Sequence, residues 1–268
     1  MDALELRVDL LESQDPYFVR NQVALLRRHT KMPIVFTVRS DGQGGKFVRD
    51  TKEETEREMF ALLSLAVRLA CEFVDVEACW DETVRLQLLE NKLSSKIIAS
   101  YHCFHDRPSL ESTRAFFEKC LAVGVTGEGA VLIGRGKSRG HAEPEKSKQG
   151  EDNSKEPPKA RPQKQLVDVV KVVLFAYSPD DALLPRIVAE EMGVHQIAPV
   201  IALVAGEKGK LSRVLNRYMT PVTHPMLSSA AAPGTLPSPI IQVAYYQTQG
   251  NSLSRRFRRY GKLLVSDR

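Results

Sequence analysis

The chain has 268 residues, 43% hydrophobic and 26% charged, with a net charge of +5, an ordinary composition with room for one big domain or two small ones. No apolar run approaches the roughly 18 residues of a membrane span, the acidic, alternating start MDALELRVDL is not a signal peptide, and the basic excess is too local to argue for nucleic acid by itself. Four cysteines (Cys71, Cys79, Cys103 and Cys120) without CxxC spacing predict free thiols in a reducing compartment, cytosol or nucleus.

The stretch ALELRVDL (3–10) alternates with period two and predicts a strand. Asp15-Pro16 then opens a helix, Asp as cap and Pro in the first turn, with Val19, Val23 and Leu26 on one face. PIVFTVR (33–39) is the next strand. Over 53–70, Met59, Leu63, Ala66, Val67 and Ala70 recur at helical spacing. EFVDVEA (72–78) and KIIASYH (96–102) read as strands with a helix between them, and STRAFFEKCLA (112–122) as a helix. LVDVVKVVLFA (166–176) reads as a strand buried on both faces. A helix near 180–192, closed by Gly193, and the strands PVIALVA (199–205) and PVTHPML (221–227) complete the pattern.

Seven apolar strands alternating with helices predict an α/β protein with a parallel sheet. An open doubly wound sheet and a (β/α)8 TIM barrel lacking one strand both fit that count. Residues 134–165 stand apart: two alanines are their largest apolar side chains, with four prolines and mixed charge. Such a segment cannot bury a core, and it predicts a disordered insertion. Its GRGKS resembles a phosphate loop, but that motif needs glycine at 131, where Val131 stands.

Lys171 lies in the middle of the most apolar strand. An ammonium taken out of water costs several kcal/mol unless it is paired or loses its proton. Glu5, Arg7 and Asp9 share one face of the first strand, and Asp75 and Glu77 repeat the arrangement in the third. A solvated face explains such charges in a half-exposed strand, whereas in a barrel they point to a site or to the rim. Arg39 and His102 stand at strand ends, where parallel α/β folds build their sites. Two histidines and a cysteine in HCFH do not match a usual zinc spacing. The turn GEKGKLSR (206–213) offers backbone N–H groups, Ser212 and Arg213 to an anion, or is simply a basic surface turn.

Taken together, DALELRVDLL, FTVRSDGQGGKF, FVDVEA, IIASYH, DVVKVV, GKLSRVLNRYMTPVTHP and AAPG resemble the type I 3-dehydroquinate dehydratases. These stretches span 2–234 in the family's order, with 134–165 as an insertion. SRVLN, TPVTHP and the glutamine of QGG are most similar to the dehydroquinase region of the fungal pentafunctional shikimate-pathway polypeptide and to the related quinate repressor. The resemblance implies a (β/α)8 TIM barrel over 1–238. Residues 239–268 would then be a linker helix and the start of a truncated shikimate dehydrogenase-like domain. The arginines at 255, 256, 258 and 259 read as a solvated linker face in preference to a nucleic-acid patch.

The resemblance also implies roles. Lys171 would form an imine with the ketone of 3-dehydroquinate, its burial among valines leaving a neutral amine. His102 would move the C2 proton and protonate the departing hydroxyl. Arg213 would hold the carboxylate with a two-pronged contact. Glu5, Arg7 and Arg39 would surround the hydroxyls and the imine, and Thr235 would contact substrate from the closing loop. No metal or organic cofactor is needed, because the lysine supplies the electron sink. The expected partner is a small molecule, 3-dehydroquinate or a quinate-like acid, with no membrane or nucleic acid and with a homodimer left open.

Three departures from the pattern stand out. The family's loop glutamine is the shorter Thr235, a serine often found nearby is Ala231, and Gln43 replaces a glutamate common in bacterial relatives. The family also has a strand before DALELRVDLL, which predicts a barrel apparently lacking its first strand and carrying two unpaired edges. Two function classes therefore remain open. One is a cytoplasmic lyase that makes 3-dehydroshikimate. The other is a weakened ligand-sensing module of a quinate repressor, nuclear if that reading holds.

Overall fold

The computed structural model describes residues 2–124, 167–224, 226, 232, 234–237 and 239–241. The insertion 134–165, Ala231 and the C-terminal arginines lie outside the described residues.

Six parallel strands form a curled half-barrel in sequence order: β1 (Leu4–Arg7), β2 (Ile34–Thr37), β3 (Phe73–Glu77), β4 (Lys96–Cys103), β5 (Val169–Phe175) and β6 (Val200–Ala205). The helices α1 (Pro16–His29), α2 (Lys52–Arg68), α3 (Glu82–Glu90), α4 (Leu110–Ala122) and α5 (Leu184–Glu191) follow the strands in turn, and α6 (Lys210–Leu215) follows β6. Two short strands, β7 (Val222–Thr223) and β8 (Leu236–Pro237), pair with each other and not with the main sheet.

Local chemistry explains the boundaries. Asp15 caps α1 by accepting hydrogen bonds from Tyr17 N and Phe18 N, with Pro16 in the first turn. Thr51, Asp81 and Ser109 cap α2, α3 and α4 in the same way. Gly193, at φ 64°, takes the left-handed conformation that closes α5. The expected strand over 3–10 is shorter than its alternation suggests, because Val8–Leu10 turn into a 3-10 helix after Arg7. Of the expected strand over 221–227, Val222–Thr223 is strand while residues 225 and 227 lie outside the described residues, and β8 joins it from a stretch that reads as a loop in the sequence.

Strand alternation divides the apolar side chains into two clusters. Outward residues such as Ile34, Phe36, Val74, Ile97, Val170, Val172 and Leu174 pack against Val19, Met59, Leu63, Leu89, Phe117 and Val188 of the helices. Inward residues Val35, Ile98, Val169, Val173, Ile201, Leu203 and Ala205 form a separate cluster with Phe73, Phe104, Phe175, Tyr218 and Met219. The strands are thus apolar on both faces because helices cover one and the curled interior the other. The register aligns Glu77, Ser100, Lys171 and Ile201 across four neighbouring strands.

Among the described residues, β1 and β6 form the two edges of this sheet. The β6 edge is covered by side chains. Ser212 Oγ accepts from Val204 N at 2.8 Å, and Asn216 Oδ1 accepts from Ala202 N at 3.1 Å. Spaced four apart at α6 and its C-cap, these two residues meet alternate amides of β6 and satisfy donors that a further strand would otherwise take. GKLSRVL is therefore a helix and not the open anion-binding turn the sequence suggests. The Ser212 hydroxyl is committed to β6 and donates to Gly209 O at 2.7 Å.

Candidate active site

The polar residues of the interior meet where β3, β4 and β5 lie side by side, next to Arg39 just past the end of β2. Lys171 of β5 is buried, with Val169 and Val173 on its own inward face. Its Nζ lies 2.8 Å from Asp75 Oδ2 of β3. Besides the valines of its own strand, the amine has a carboxylate beside it, the kind of pairing that offsets burial of an ammonium. The same Asp75 oxygen accepts from Arg39 Nη2 at 2.8 Å. Asp75 Oδ1 accepts from the Ser100 hydroxyl of β4 at 2.5 Å.

Glu77, two residues further along β3 and on the same face, is equally buried. Its Oε2 lies 2.9 Å from Arg39 Nη1, 3.0 Å from Ser100 Oγ and 2.8 Å from His102 Nδ1. Its Oε1 accepts from the backbone N–H of His102 at 2.8 Å. Lys171, Asp75, Arg39, Ser100, Glu77 and His102 therefore form one connected network.

Burial pushes both carboxyls up, but neighbouring cations outweigh it. Arg39 and Lys171 hold Asp75 far below the usual carboxylate range, and His102 and Arg39 hold Glu77 below it. Burial and then Arg39 lower the His102 pKa to about 4, although Glu77 opposes them. The imidazole is neutral near pH 7 and able to accept a proton. Burial works against the Arg39 charge, but Asp75 and Glu77 overcome it and raise its pKa.

The remaining residues singled out in the sequence have partners of their own. Glu5 on β1 accepts from Thr37 Oγ1 of β2 at 2.9 Å, and its charge acts on both Arg39 and Arg213. Arg213, on α6, is buried, and burial lowers its pKa against the pull of Glu5. Arg7 is joined to the buried Asp9 through two contacts, Nε to Oδ1 at 2.8 Å and Nη2 to Oδ2 at 2.6 Å. Thr235 turns its hydroxyl back to Ala232 O at 2.7 Å, within its own loop. Lys171, His102 and Arg39 are thus brought into direct or shared contact, Glu5 acts through its charge on Arg39 and on Arg213, and Arg7 and Thr235 are bonded locally.

The loops that frame the site depend on close backbone approach. After β2 the chain folds back over itself: Gly45 N donates to Ser40 O at 2.7 Å and Phe47 N to Arg39 O at 3.0 Å. A Cβ on Gly45 would lie 2.0 Å from Arg39 O, so the loop that presents Arg39 accepts no side chain there. Gly234, at φ 74°, brings its segment against Gly206 at the end of β6, where a Cβ would lie 2.4 Å from Gly206 O. Gln43 turns inward in this framework, accepting from Ser40 N at 3.2 Å and reaching Cys79 Sγ at 3.9 Å.

The sequence marked Asp75 and Glu77 as charges of a site or of the rim without giving either a role, and it passed over Ser100. The signal was present: Ser100 stands two residues before His102 on one strand, so both share its inward face. Among the described residues, no group of three or more His, Cys, Asp or Glu side chains is arranged to hold a metal ion, and no helix is long and apolar enough to cross a membrane. All four cysteines are free.

Comparison with known proteins carries this geometry to a family. A family model described as type I 3-dehydroquinase matches residues 1–126 and 151–252. The chain is 32% identical over 261 residues to the pentafunctional AROM polypeptide of Komagataella phaffii, covering 97% of this chain and 14% of that one. It is 35% identical over 252 residues to the polypeptide of the same name from Kluyveromyces lactis, covering 93% and 13%. The chain therefore spans a small fraction of the length of these curated relatives. The solved dehydroquinate dehydratase and shikimate dehydrogenase from S. pombe AroM superposes with a TM-score of 0.66 at 30% identity, over 90% of this chain and 38% of that one. The 3-dehydroquinate dehydratase of Geobacillus kaustophilus superposes with a TM-score of 0.65 at 22% identity, over 94% and 82%, a likeness of fold. By the extent of the family match and the identity to these relatives, the chain belongs to the type I 3-dehydroquinase family.

Proposed function

We propose that the chain dehydrates 3-dehydroquinate to 3-dehydroshikimate through an imine on Lys171, acting as a lyase in the cytoplasm, with residues 1–238 as its catalytic unit. The observation that carries this reading is the placement of Lys171 Nζ in the curled interior, in one hydrogen-bonded network with a neutral His102.

Attack on the substrate ketone requires an unprotonated Nζ, so one proton of the ammonium is given up and ends on the former ketone oxygen, the carbinolamine hydroxyl that leaves as water. Loss of water then gives the protonated imine, an electron sink next to C2. His102 takes the C2 proton and the electron pair flows into the imine. The enamine expels the C1 hydroxyl, which leaves as water with a proton from His102. Hydrolysis of the product imine frees the lysine. The sum is loss of one water, with no oxidant or reductant. Arg213 holds the carboxylate and Glu5 and Arg39 meet the hydroxyls, while Arg7, joined to Asp9, supports the rim. Thr235, bonded within its own loop, contributes a weaker contact than a longer side chain would.

The test is turnover. The protein with 3-dehydroquinate is expected to produce the absorbance of a conjugated enone acid, and Lys171→Ala to abolish it. A wild-type protein that binds the substrate without forming product contradicts the enzymatic reading.

A further inference from the structure

We infer that Asp9 is a positioning residue for substrate binding, a buried clasp that fixes the guanidinium of Arg7 and ties it to the loop presenting Arg39. This rests on the proposed function above and extends it to a residue given no role there.

The strand register places Glu5 opposite Val35 and Arg7 opposite Thr37. Val35 belongs to the inward cluster and Leu6 to the outward one, so Arg7 faces the curled interior on the same side as Glu5. Straight after Arg7 the chain leaves the strand for the 3-10 turn Val8–Leu10. That turn returns the Asp9 carboxylate to the arginine two residues before it, and the Asp9 side chain is wholly buried. Oδ1 accepts from Nε at 2.8 Å and Oδ2 from Nη2 at 2.6 Å, a two-pronged contact that holds one edge of the guanidinium and fixes its plane. Nη1 is thereby turned away from Asp9.

Asp9 Oδ2 also accepts from the backbone N–H of Lys46 at 3.1 Å. Lys46 sits in the loop after β2, between Gly45, whose N–H donates to Ser40 O, and Phe47, whose N–H donates to Arg39 O. One carboxylate therefore joins the end of β1 to the loop that carries Arg39, and the placement of the two guanidiniums relative to each other is set through this joint. Stability alone does not call for a charge here, because a buried ion pair is often matched by apolar residues of similar volume. What the carboxylate supplies is direction. Asp75 and Glu77 hold Arg39 from the other side, and Asp75 pairs with Lys171. Opening the clasp thus reaches Arg7 first and leaves the imine-forming amine with its carboxylate.

Binding and chemistry should therefore separate. In Asp9→Asn the amide oxygen can still accept from Lys46 N, while its NH2 meets the N–H groups of Arg7 and the grip opens. KM for 3-dehydroquinate should rise by about 10–100-fold, the range for loss of a residue that orients a ligating group, with kcat within about threefold of wild type. The borohydride-trapped adduct should still form at saturating substrate. In an Arg7→Ala background, Asp9→Asn should raise KM no further. Folded Asp9→Asn overturns the inference if its KM is that of the wild type, if kcat falls in place of a rise in KM, or if its effect multiplies fully with Arg7→Ala. A measurement on the unaltered protein guards against a variant that does not fold. The Arg7 Nε–H resonance, assigned by its absence in Arg7→Ala, should persist in 15N spectra at neutral pH and shift when the protein carries the reduced adduct. A signal lost to solvent exchange, or unmoved by the adduct, overturns the inference. If the wild type gives neither adduct nor product, the proposed function itself fails, and the Nε–H signal of the free protein alone then decides the clasp.

Discussion

Replacing Arg39 with Met removes a cation that touches both buried carboxylates. Its guanidinium lies 2.8 Å from Asp75 and 2.9 Å from Glu77, with side-chain exposures of 5% for the arginine, 0% for Asp75 and 1% for Glu77. Removing one partner of a buried pair costs about 3–5 kcal/mol, because the remaining charge stays in the interior. Lys171 and Ser100 still hold Asp75, and His102 through its ring and its backbone N–H still holds Glu77, so the loss should fall at about 3–4 kcal/mol. That is a large share of the roughly 5–15 kcal/mol that stabilises a typical domain. The loss must also depend on pH. Both carboxylates lie below their ordinary pKa in the folded protein, so their contribution is complete above the unfolded value of about 4 and is lost as pH falls through the folded values. Without Arg39 that contribution shrinks, and the stability gap between the two proteins should narrow in acid. His102 adds to the narrowing. Its pKa of about 4 costs the wild type stability as pH falls from about 6.5, and losing Arg39 lets that pKa rise. Urea unfolding at pH values of about 7.5, 5.5 and 4 measures the gap. A gap under about 1 kcal/mol at neutral pH, or one that widens in acid, would refute this reasoning.

Other expectations follow from the same geometry. Because burial and Arg39 hold His102 at about pKa 4, the acid limb of kcat/KM should lie well below the ordinary imidazole range, and an inflection near pH ~6.5 assigned to His102 would contradict it. Ser212→Ala strips the acceptor from the buried Val204 amide and should cost about 1–3 kcal/mol in urea unfolding. Asn216→Ala should behave similarly at Ala202, and a neutral result for both would remove the account of how the β6 edge is satisfied.

Much of the architecture was legible because it depends on periodicity. Val169, Val173 and Ile201 against Val170, Val172 and Val204 show strands buried on both faces, and Asp15-Pro16 and Gly193 mark helix ends by local chemistry alone. Register was not legible. Asp75, Glu77 and Ser100 become a site only when β3 lies beside β4, and β4 beside β5, at a particular offset, and no single strand records its neighbour's offset. The presence of Lys171 in an apolar strand showed that something must offset its charge, and the answer, Asp75, is 96 residues away. Helix α6 escaped notice because six residues flanked by glycine at 209 carry too little periodicity to separate a helix from a turn. Ser212 thus read as an anion ligand or as part of a basic surface turn, when its partner is a strand edge.

The central claim is that one interior amine, paired with Asp75 and linked through it to His102, bonds covalently to the substrate. Borohydride reduction in the presence of 3-dehydroquinate, followed by peptide mass mapping, addresses it directly. The account predicts a single reduced adduct on the peptide that contains Lys171, absent from Lys171→Ala. Turnover without any adduct, or an adduct on another lysine, would contradict it.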